Sequence, residues 1–490
     1  MNFLSLDVGT TCCKCQLFTQ QGDIIFYRAQ EYDLKKLDGE IYVDVDAIKS
    51  TIFGLIKDAV EVAPVSSIAV SSFGEAFVML DKDDNTIFYP MLYTDVRGEE
   101  QAKEIKKLFP EDYLYETTGV LPHPMYSISK LLWIKENYPD VYKKADKVLL
   151  IGDFIGYLLS KKRVIDYSLA ARTGVFCVKE KRFSNEILDK LGVSINLFST
   201  PMPAGTKVAP IYPVVAKELG LNEDCTLVLG SHDQICATLG AGVIEAGEAA
   251  DGMGTVECIT AVFNQPPQDP LFGKMGYPTV PFAIDGLYCT YILNYSSGSL
   301  VNWFRKGITH GYCANEKNFF AYAENEIPTE PTGLLTLPYF AGAATPYQDS
   351  DAKGAILGLT LSTTDVDIHR SILEGTSYEM RLNLETVKDF GIDITSAVAT
   401  GGGANSKPWL QIKSNVTNLT LSTLRSSEGG LCGVAMLQAV AMGAVKDLKS
   451  AKDIFVRYTS TYTPNAKVQE KYNKVYKKYK NLYRTIKELN

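Results

Sequence analysis

The chain has 490 residues, 46% of them hydrophobic and 22% charged, with a formal charge of −8. At roughly 100–200 residues per domain, this length implies two or three domains that each bury a core, and the composition excludes disorder as the main state. The negative balance, with no Lys/Arg tract before the closing segment, excludes nucleic acid as the main partner, and the lack of any run of ~18 apolar residues excludes a membrane-spanning helix.

The first residues carry no basic start and reach Asp7 before any long apolar stretch, so they predict a strand and not a signal peptide. That strand, Phe3–Val8, ends in Asp7-Val8-Gly9-Thr10-Thr11. A second follows at Lys14–Phe18, and the turn Gln21-Gly22-Asp23 leads to a third at Ile24–Arg28. Cys12, Cys13 and Cys15 have no second cluster to complete a zinc site, and the 4 histidines are scattered, so reduced thiols in a cytoplasmic protein are expected. A helix is predicted over Val45–Val60, a strand over Ser67–Ser72 ending at Phe73-Gly74-Glu75, and mostly helical structure from Tyr126 to Leu159. The short strand Leu227–Gly230 leads into Ser231-His232-Asp233-Gln234 and a helix of small residues through Gly240 and Gly242. Asp251-Gly252-Met253-Gly254-Thr255, followed by the apolar run Val256–Phe263, then echoes the opening hairpin about half a chain later. Two similar halves with a boundary near residue 245 are the expectation, 1–245 and 246–490. Beyond it come a Pro/Gly-rich stretch (Leu337–Gly358), a helix (Asp367–Asp389), and a strand (Ala397–Thr400) running into Gly401-Gly402-Gly403-Ala404-Asn405. A small-residue helix (Leu431–Met442) and a Lys/Tyr-rich helical tail (Val468–Leu489) with a solvated lysine face close the chain.

Glycine-rich turns after strands bring backbone N–H groups close to phosphate oxygens. The P-loop pattern G-x-x-x-x-G-K-[ST] is absent, and G-x-G-x-x-G fails at its last glycine in each candidate, at Glu245, Glu257 and Ser406. A different arrangement fits: two hairpin turns, one per half, facing one another. Thr10, Thr11 and Thr255 then offer hydroxyls and N–H groups to a triphosphate, Lys14 adds a positive charge, and Asp7 holds Mg²⁺ through water. Each turn, taken singly, reads first as a tight turn that needs glycine's open φ; the set together points to phosphate.

Two long motifs carry a resemblance. Met125-Tyr126-Ser127-Ile128-Ser129-Lys130-Leu131-Leu132-Trp133-Ile134-Lys135-Glu136-Asn137 is one. The other runs from Gly354 through Ile356, Gly358 and Leu359 to Asp367-Ile368 and Ser371-Ile372-Leu373-Glu374. With Tyr93-Thr94-Asp95-Val96-Arg97, Asp166-Tyr167-Ser168 and Ala171-Arg172-Thr173-Gly174, they make the chain resemble the FGGY family of carbohydrate kinases over about residues 3–445. The resemblance implies an α/β fold of two actin-like (ribonuclease H-like) ATPase domains. ATP, Mg²⁺ and a small sugar would bind in the cleft between them, and a homodimer is compatible with it. It implies Asp233 as the general base, kept ionised by its helix N-terminus; without the resemblance, an aspartate there serves equally as an N-cap. It also implies Gly74, Glu75 and Gln234 beside the sugar, Gly254 and Thr255 as the second phosphate loop, and Gly401, Gly402, Gly403, Ala404 and Asn405 against adenosine. His232 reads as structural.

For the substrate, Glu75 stands where xylulose kinases carry a histidine and where glycerol and autoinducer-2 kinases carry the glutamate of an Arg-Glu pair. Here Gly74 replaces the arginine, as in deoxyhexulose kinases, and the Arg partner is missing. Met125 makes glycerol a poor fit. Gly342-Ala343-Ala344-Thr345-Pro346 departs from the Gly-Glu-Arg-Thr-Pro of many xylulose kinases. A ketopentose such as xylulose is expected from overall length and motif order. The alternatives are another polyol, a deoxy-ketose, an autoinducer-2-like substrate, or a non-catalytic ATP-binding regulator on the same fold.

Overall fold

The computed structural model describes residues 1–309, 316–325, 327, 329–426 and 428–489. They form two compact units. The first is Met1–Ile244 with Thr279–Tyr288 and Glu428–Val456; the second is Glu245–Pro278, Cys289–Ser427 and Arg457–Asn490.

The first unit is built on β1 (Asn2–Val8), β2 (Cys12–Thr19), β3 (Ile24–Glu31), β4 (Ser67–Ser72), β5 (Lys207–Pro210), β6 (Thr226–Val228) and β7 (Ser231–His232). The sheet order is β5-β6-β4-β1-β2-β3, with β7 also pairing β4. β1, β2 and β3 form an antiparallel meander, while β4 runs parallel to β1, and β6 and β7 run parallel to β4. Side chains of a strand alternate between faces, and β1 uses both. Leu4, Leu6 and Val8 join the core formed with Ile48, Ile52, Leu55 and Ile56 of the helix Val45–Val62. Ser5 and Asp7 face the helix Gly429–Ala441: Gln438 donates to Ser5 Oγ (3.3 Å), and a Cβ on Gly430 would contact Asp7. β2 alternates likewise, with Cys13 and Cys15 buried as thiols and Cys15 pushed up to about 12 by burial.

The helices Asp233–Gly240 and Gly429–Ala441 meet backbone to backbone. A Cβ on Gly240 would lie 1.8 Å from the Gly429 carbonyl oxygen, and one on Gly433 would lie 2.0 Å from that of Cys236. This crossing explains the small residues of both helices. It also explains why Glu428–Val456, far along the chain, belongs to the first unit, so that a single cut at residue 245 leaves the units interleaved.

The second unit carries β8 (Glu248–Met253), β9 (Glu257–Phe263), β10 (Tyr288–Asn294), β11 (Ser396–Thr400), β12 (Thr420–Leu424) and β13 (Tyr458–Tyr462), in the order β10-β9-β8-β11-β12-β13. A β8–β9 hairpin with β11 parallel to β8 repeats the β1–β2 hairpin with β4 parallel to β1. The echo in the sequence is therefore a repeated supersecondary unit.

One expectation holds with an interruption and one needs correction. Tyr126–Leu159 is broken by the strand Lys147–Leu150 between the helices Pro139–Lys144 and Ile151–Ser160; a four-residue apolar run is indistinguishable from buried helix by periodicity. The tail is two helices, Ala466–Tyr479 and Leu482–Lys487. Lys474, Lys477 and Lys478 are exposed as expected. The opposite, aromatic face is anchored: Tyr479 donates to Glu379 (2.6 Å) and Tyr476 to Glu385 (2.8 Å) of the helix Asp365–Asp389. No helix among the described residues is long and apolar enough to cross a membrane.

Candidate active site

Because β1, β4 and β7 run parallel, their carboxyl ends lie on one edge of the first sheet. The register sets Asp7 beside Ser71 and Ser71 beside Ser231; one residue further, Val8, Ser72 and His232 stand abreast. The chain leaving that edge is Gly9-Thr10-Thr11, Phe73-Gly74-Glu75 and Asp233. Such edges bind ligands in α/β sheets because loops and helix N-termini converge there. Gly230 permits the arrangement: a Cβ there would lie 1.8 Å from the Val70 carbonyl oxygen, which would drive β7 off β4.

Asp233 is the first residue of its helix, and the N-cap position belongs to His232. Its Oδ1 accepts the Gln234 N–H at 2.6 Å and lies 3.3 Å from His232 Nε2, while 35% of the side chain stays open to solvent. The expectation that the helix N-terminus keeps this carboxylate ionised is corrected. The protein packed around it, then the negative charges of Asp7 and Glu75, push it up to about 7 against the opposing Gln234 amide and Arg172. Gln234 is exposed next to it. Burial and the charge of Arg172 hold His232 well below the usual histidine range, so its imidazole is neutral. Its backbone N–H donates to Ser168 Oγ at 3.1 Å, in keeping with a structural role.

Glu75 is not without an arginine, contrary to the sequence reading. Arg172, at the C-terminal cap of the helix Tyr167–Ala171, places Nε 2.5 Å from Glu75 Oε1 and closes Nη2 on the same oxygen. The Tyr126 ring packs 5.2 Å from the guanidinium. Glu75 itself has φ +64°, and the Ser127 hydroxyl donates to its carbonyl at 2.7 Å. Asp166 caps the Tyr167–Ala171 helix by accepting the Ser168 N–H (2.8 Å), and it also accepts the Ser231 hydroxyl (2.8 Å). The Asp166-Tyr167-Ser168 motif thus ties the helix that Arg172 caps to the strand that leads into Asp233.

At the β1–β2 turn, the Gly9 N–H donates to the Cys12 carbonyl (2.9 Å), with Thr10 half-buried and Thr11 exposed. Burial, then the charge of Glu428, raises the Asp7 carboxyl, with Ser71 and Lys14 opposing. Lys14, expected to face phosphate, holds Glu428 instead, its Nζ 2.9 and 3.2 Å from the two carboxylate oxygens. Gly430 leaves open the space beside Asp7 Oδ1 that a Cβ, 3.6 Å away, would fill. A carboxylate oxygen with room next to it suits a hard, hydrated cation.

The second unit contains a cavity of about 560 Å³. Gly254, Thr255, Gly402, Gly403 and Asn405 line it; Gly401 and Ala404 do not. Gly401 serves the turn instead, with φ +80° and no room for a Cβ, which would lie 2.9 Å from the Met253 carbonyl oxygen. The Ala404 N–H is bonded back to the Gly401 carbonyl at 3.2 Å. Trp409, Phe320, Val301 and Asn302, from three separate helices, and Glu324 add to the walls, a grouping that no local pattern announces. Ser406 caps the helix Lys407–Thr417 by accepting the Trp409 N–H (3.2 Å) and donates to Glu324 (2.5 Å). Aromatic walls over a glycine floor suit a nucleoside.

The family description "FGGY family of carbohydrate kinases, N-terminal domain" fits residues 2–240, and the C-terminal domain of the same family fits residues 253–442. The chain belongs to the FGGY family of carbohydrate kinases. It is 26% identical to the xylulose kinase of Bacillus subtilis (strain 168), over 99% of this chain and 97% of that one. Crystal structures of a gluconate kinase and of a ligand-bound xylulose kinase from Lactobacillus acidophilus each superpose with a TM-score of 0.90 at 25% identity, covering 99% of this chain and 98% of theirs. The protein is thus a phosphotransferase of the two-domain actin-like ATPase fold that acts on a small sugar.

In this carbohydrate kinase the two echoing loops are chemically unequal. Asp251, the counterpart of Asp7 in the repeat, is fully buried and neutralised by Lys413 Nζ at 2.6 Å. Asp7 differs from it: its carboxyl is near Ser71 and Lys14, and Gly430 leaves room beside its Oδ1.

Proposed function

We propose that this kinase transfers the γ-phosphoryl group of ATP to a hydroxyl of a ketopentose such as xylulose, with Asp233 as the general base. The observation that carries this is the half-open Asp233 carboxyl on the edge shared with Glu75 and Asp7. There it can accept the hydroxyl proton as the oxygen attacks phosphorus. Glu75 accepts hydrogen bonds from substrate hydroxyls, Gly74 leaves room for them, and Gln234 closes the rim. Adenosine occupies the cavity of the second unit over Gly402, Gly403 and Asn405. Thr10, Thr11, Gly254 and Thr255 serve the phosphates, and Lys14 does so by exchanging Glu428 for phosphate oxygen. Asp7 would hold Mg²⁺, which when bound would neutralise phosphate charge. The ketopentose reading is supported by the full-length likeness to a xylulose kinase; the likeness to a gluconate kinase makes a sugar acid the competing substrate.

The test is ADP release with Mg-ATP and a panel of ketoses, polyols and aldonates. Xylulose-dependent ADP is the expected result; none with any member favours a non-catalytic ATP-binding regulator. Asp233→Asn should lower kcat by about 10²–10⁴-fold while leaving ATP binding intact. Near-normal turnover removes Asp233 from the mechanism.

A further inference from the structure

Glu75 and Arg172 form a buried ion pair, with 6% and 7% of their side chains exposed. Three features show that the pair is built for a purpose beyond packing. First, the absence of a side chain at Gly74 is what admits the arginine: a Cβ there would lie 2.9 Å from Arg172 Cγ and 3.1 Å from His232 Cδ2. Second, Glu75 is held at φ +64°, a conformation that costs energy for a residue with a side chain and that concentrates at functional sites. Third, both guanidinium nitrogens that touch Glu75 converge on Oε1, and Oε2 has no hydrogen-bond partner among the described residues.

We infer that Arg172 is a positioning residue for the sugar. By fixing Glu75 through Oε1 it presents Oε2 as the acceptor for substrate hydroxyls, and by cancelling the charge of Glu75 it sets the site for an uncharged polyhydroxy substrate and against a sugar acid. This rests on the kinase reading above. The charges around the pair agree with it. Asp7 and Asp233 are acids on the same edge, and the buried Lys130 is turned onto the carbonyls of Leu92 (2.8 Å) and Met125 (3.2 Å). A carboxylate on the substrate would meet these acids, with Arg172 already committed to Glu75. Glycine at 74 and arginine at 172 are therefore one device: the cation reaches Glu75 from a helix 97 positions along the chain.

The experiment uses the full-length chain, with D-xylulose, xylitol and D-gluconate as probes and ADP release as the readout, the KM for sugar and for ATP measured separately. Wild type should accept the uncharged probes and reject gluconate. Arg172→Ala should raise the sugar KM about tenfold or more with the ATP KM within about twofold. Gly74→Arg added to Arg172→Ala, which returns a cation from the opposite side, should recover most of the loss. Gly74→Ala, which keeps every charge and displaces Arg172, should raise the sugar KM alone and covers the case in which Arg172→Ala fails to fold. An unchanged sugar KM in Arg172→Ala and Gly74→Ala, or gluconate as the best substrate of the wild type, overturns the inference. A wild type without sugar-dependent ADP overturns the kinase reading and this inference with it.

Discussion

A general base acts through its ionised form, and the surroundings of Asp233 oppose ionisation: enclosure by protein and the nearby charges of Asp7 and Glu75 push it up to about 7. The sign for activity is that protonation removes the base, so kcat/KM for the sugar should fall tenfold per pH unit below about 7. His232 is held neutral far below that range, so the limb should persist in His232→Asn and vanish from the residual activity of Asp233→Asn; a limb lost in the histidine variant would reassign it. Asp233 was legible as a candidate base only through the family motifs, because an aspartate between a strand and a small-residue helix reads equally as an N-cap. Arg172 lies within a recognisable motif, but its task is not legible there, because its partner lies 97 positions away and a cation at that separation leaves no periodic trace. Trp409 stood closer to discovery, three residues after the Ser406 that caps its helix.

At the scale of elements, the contacts that hold the site are helix crossings and a tyrosine ladder. Gly433→Ala would place a carbon 2.0 Å from the Cys236 carbonyl oxygen, forcing apart the helix that begins with Asp233. A cost of about 1–3 kcal/mol is expected, read as a lower Tm together with a lower kcat; an unchanged Tm would show that the helices yield freely. Tyr479→Phe would leave the buried Glu379 one donor short, a loss of about 1–3 kcal/mol, checked by denaturant titration. Glu379 and Glu374 are both pushed up to about 7, mainly by burial. Their folded-state affinity for protons exceeds that of the unfolded chain, so their contribution is complete below about pH 4.5 and is lost as pH rises through 7. Amide exchange in Ala466–Tyr479, corrected for intrinsic rates, should therefore be slower at pH 5 than at pH 8; equal protection would deny the coupling. These helices were legible from spacing, as was Ser67–Ser72 to the residue, because turn residues bound that strand on its far side. The break after Tyr479 was not, since Lys480 and Asn481 interrupt the helix without Pro or Gly.

For the whole molecule, the repeat of hairpin and parallel strand was legible from Asp7–Thr11 and Asp251–Thr255. The interleaving of the units was hidden, because it depends on two glycine-bearing helices 193 positions apart (Gly433 − Gly240 = 193). The expected outcome is that a chain ending at Ile244 fails to give a cooperative thermal transition, since it lacks the helix Gly429–Ala441. Supplying residues 428–456 by fusion should restore one, and a cooperative melt of the short chain would contradict the crossing's importance. The same interleaving bears on how the protein is born. During synthesis from the amino end, the unit that carries Asp233 stays unfinished until Glu428–Val456 has been made. The exposed flank of the nascent sheet must wait through the whole of the second unit, so ribosomes that stall or terminate before that point yield fragments fit for degradation and unable to consume nucleotide.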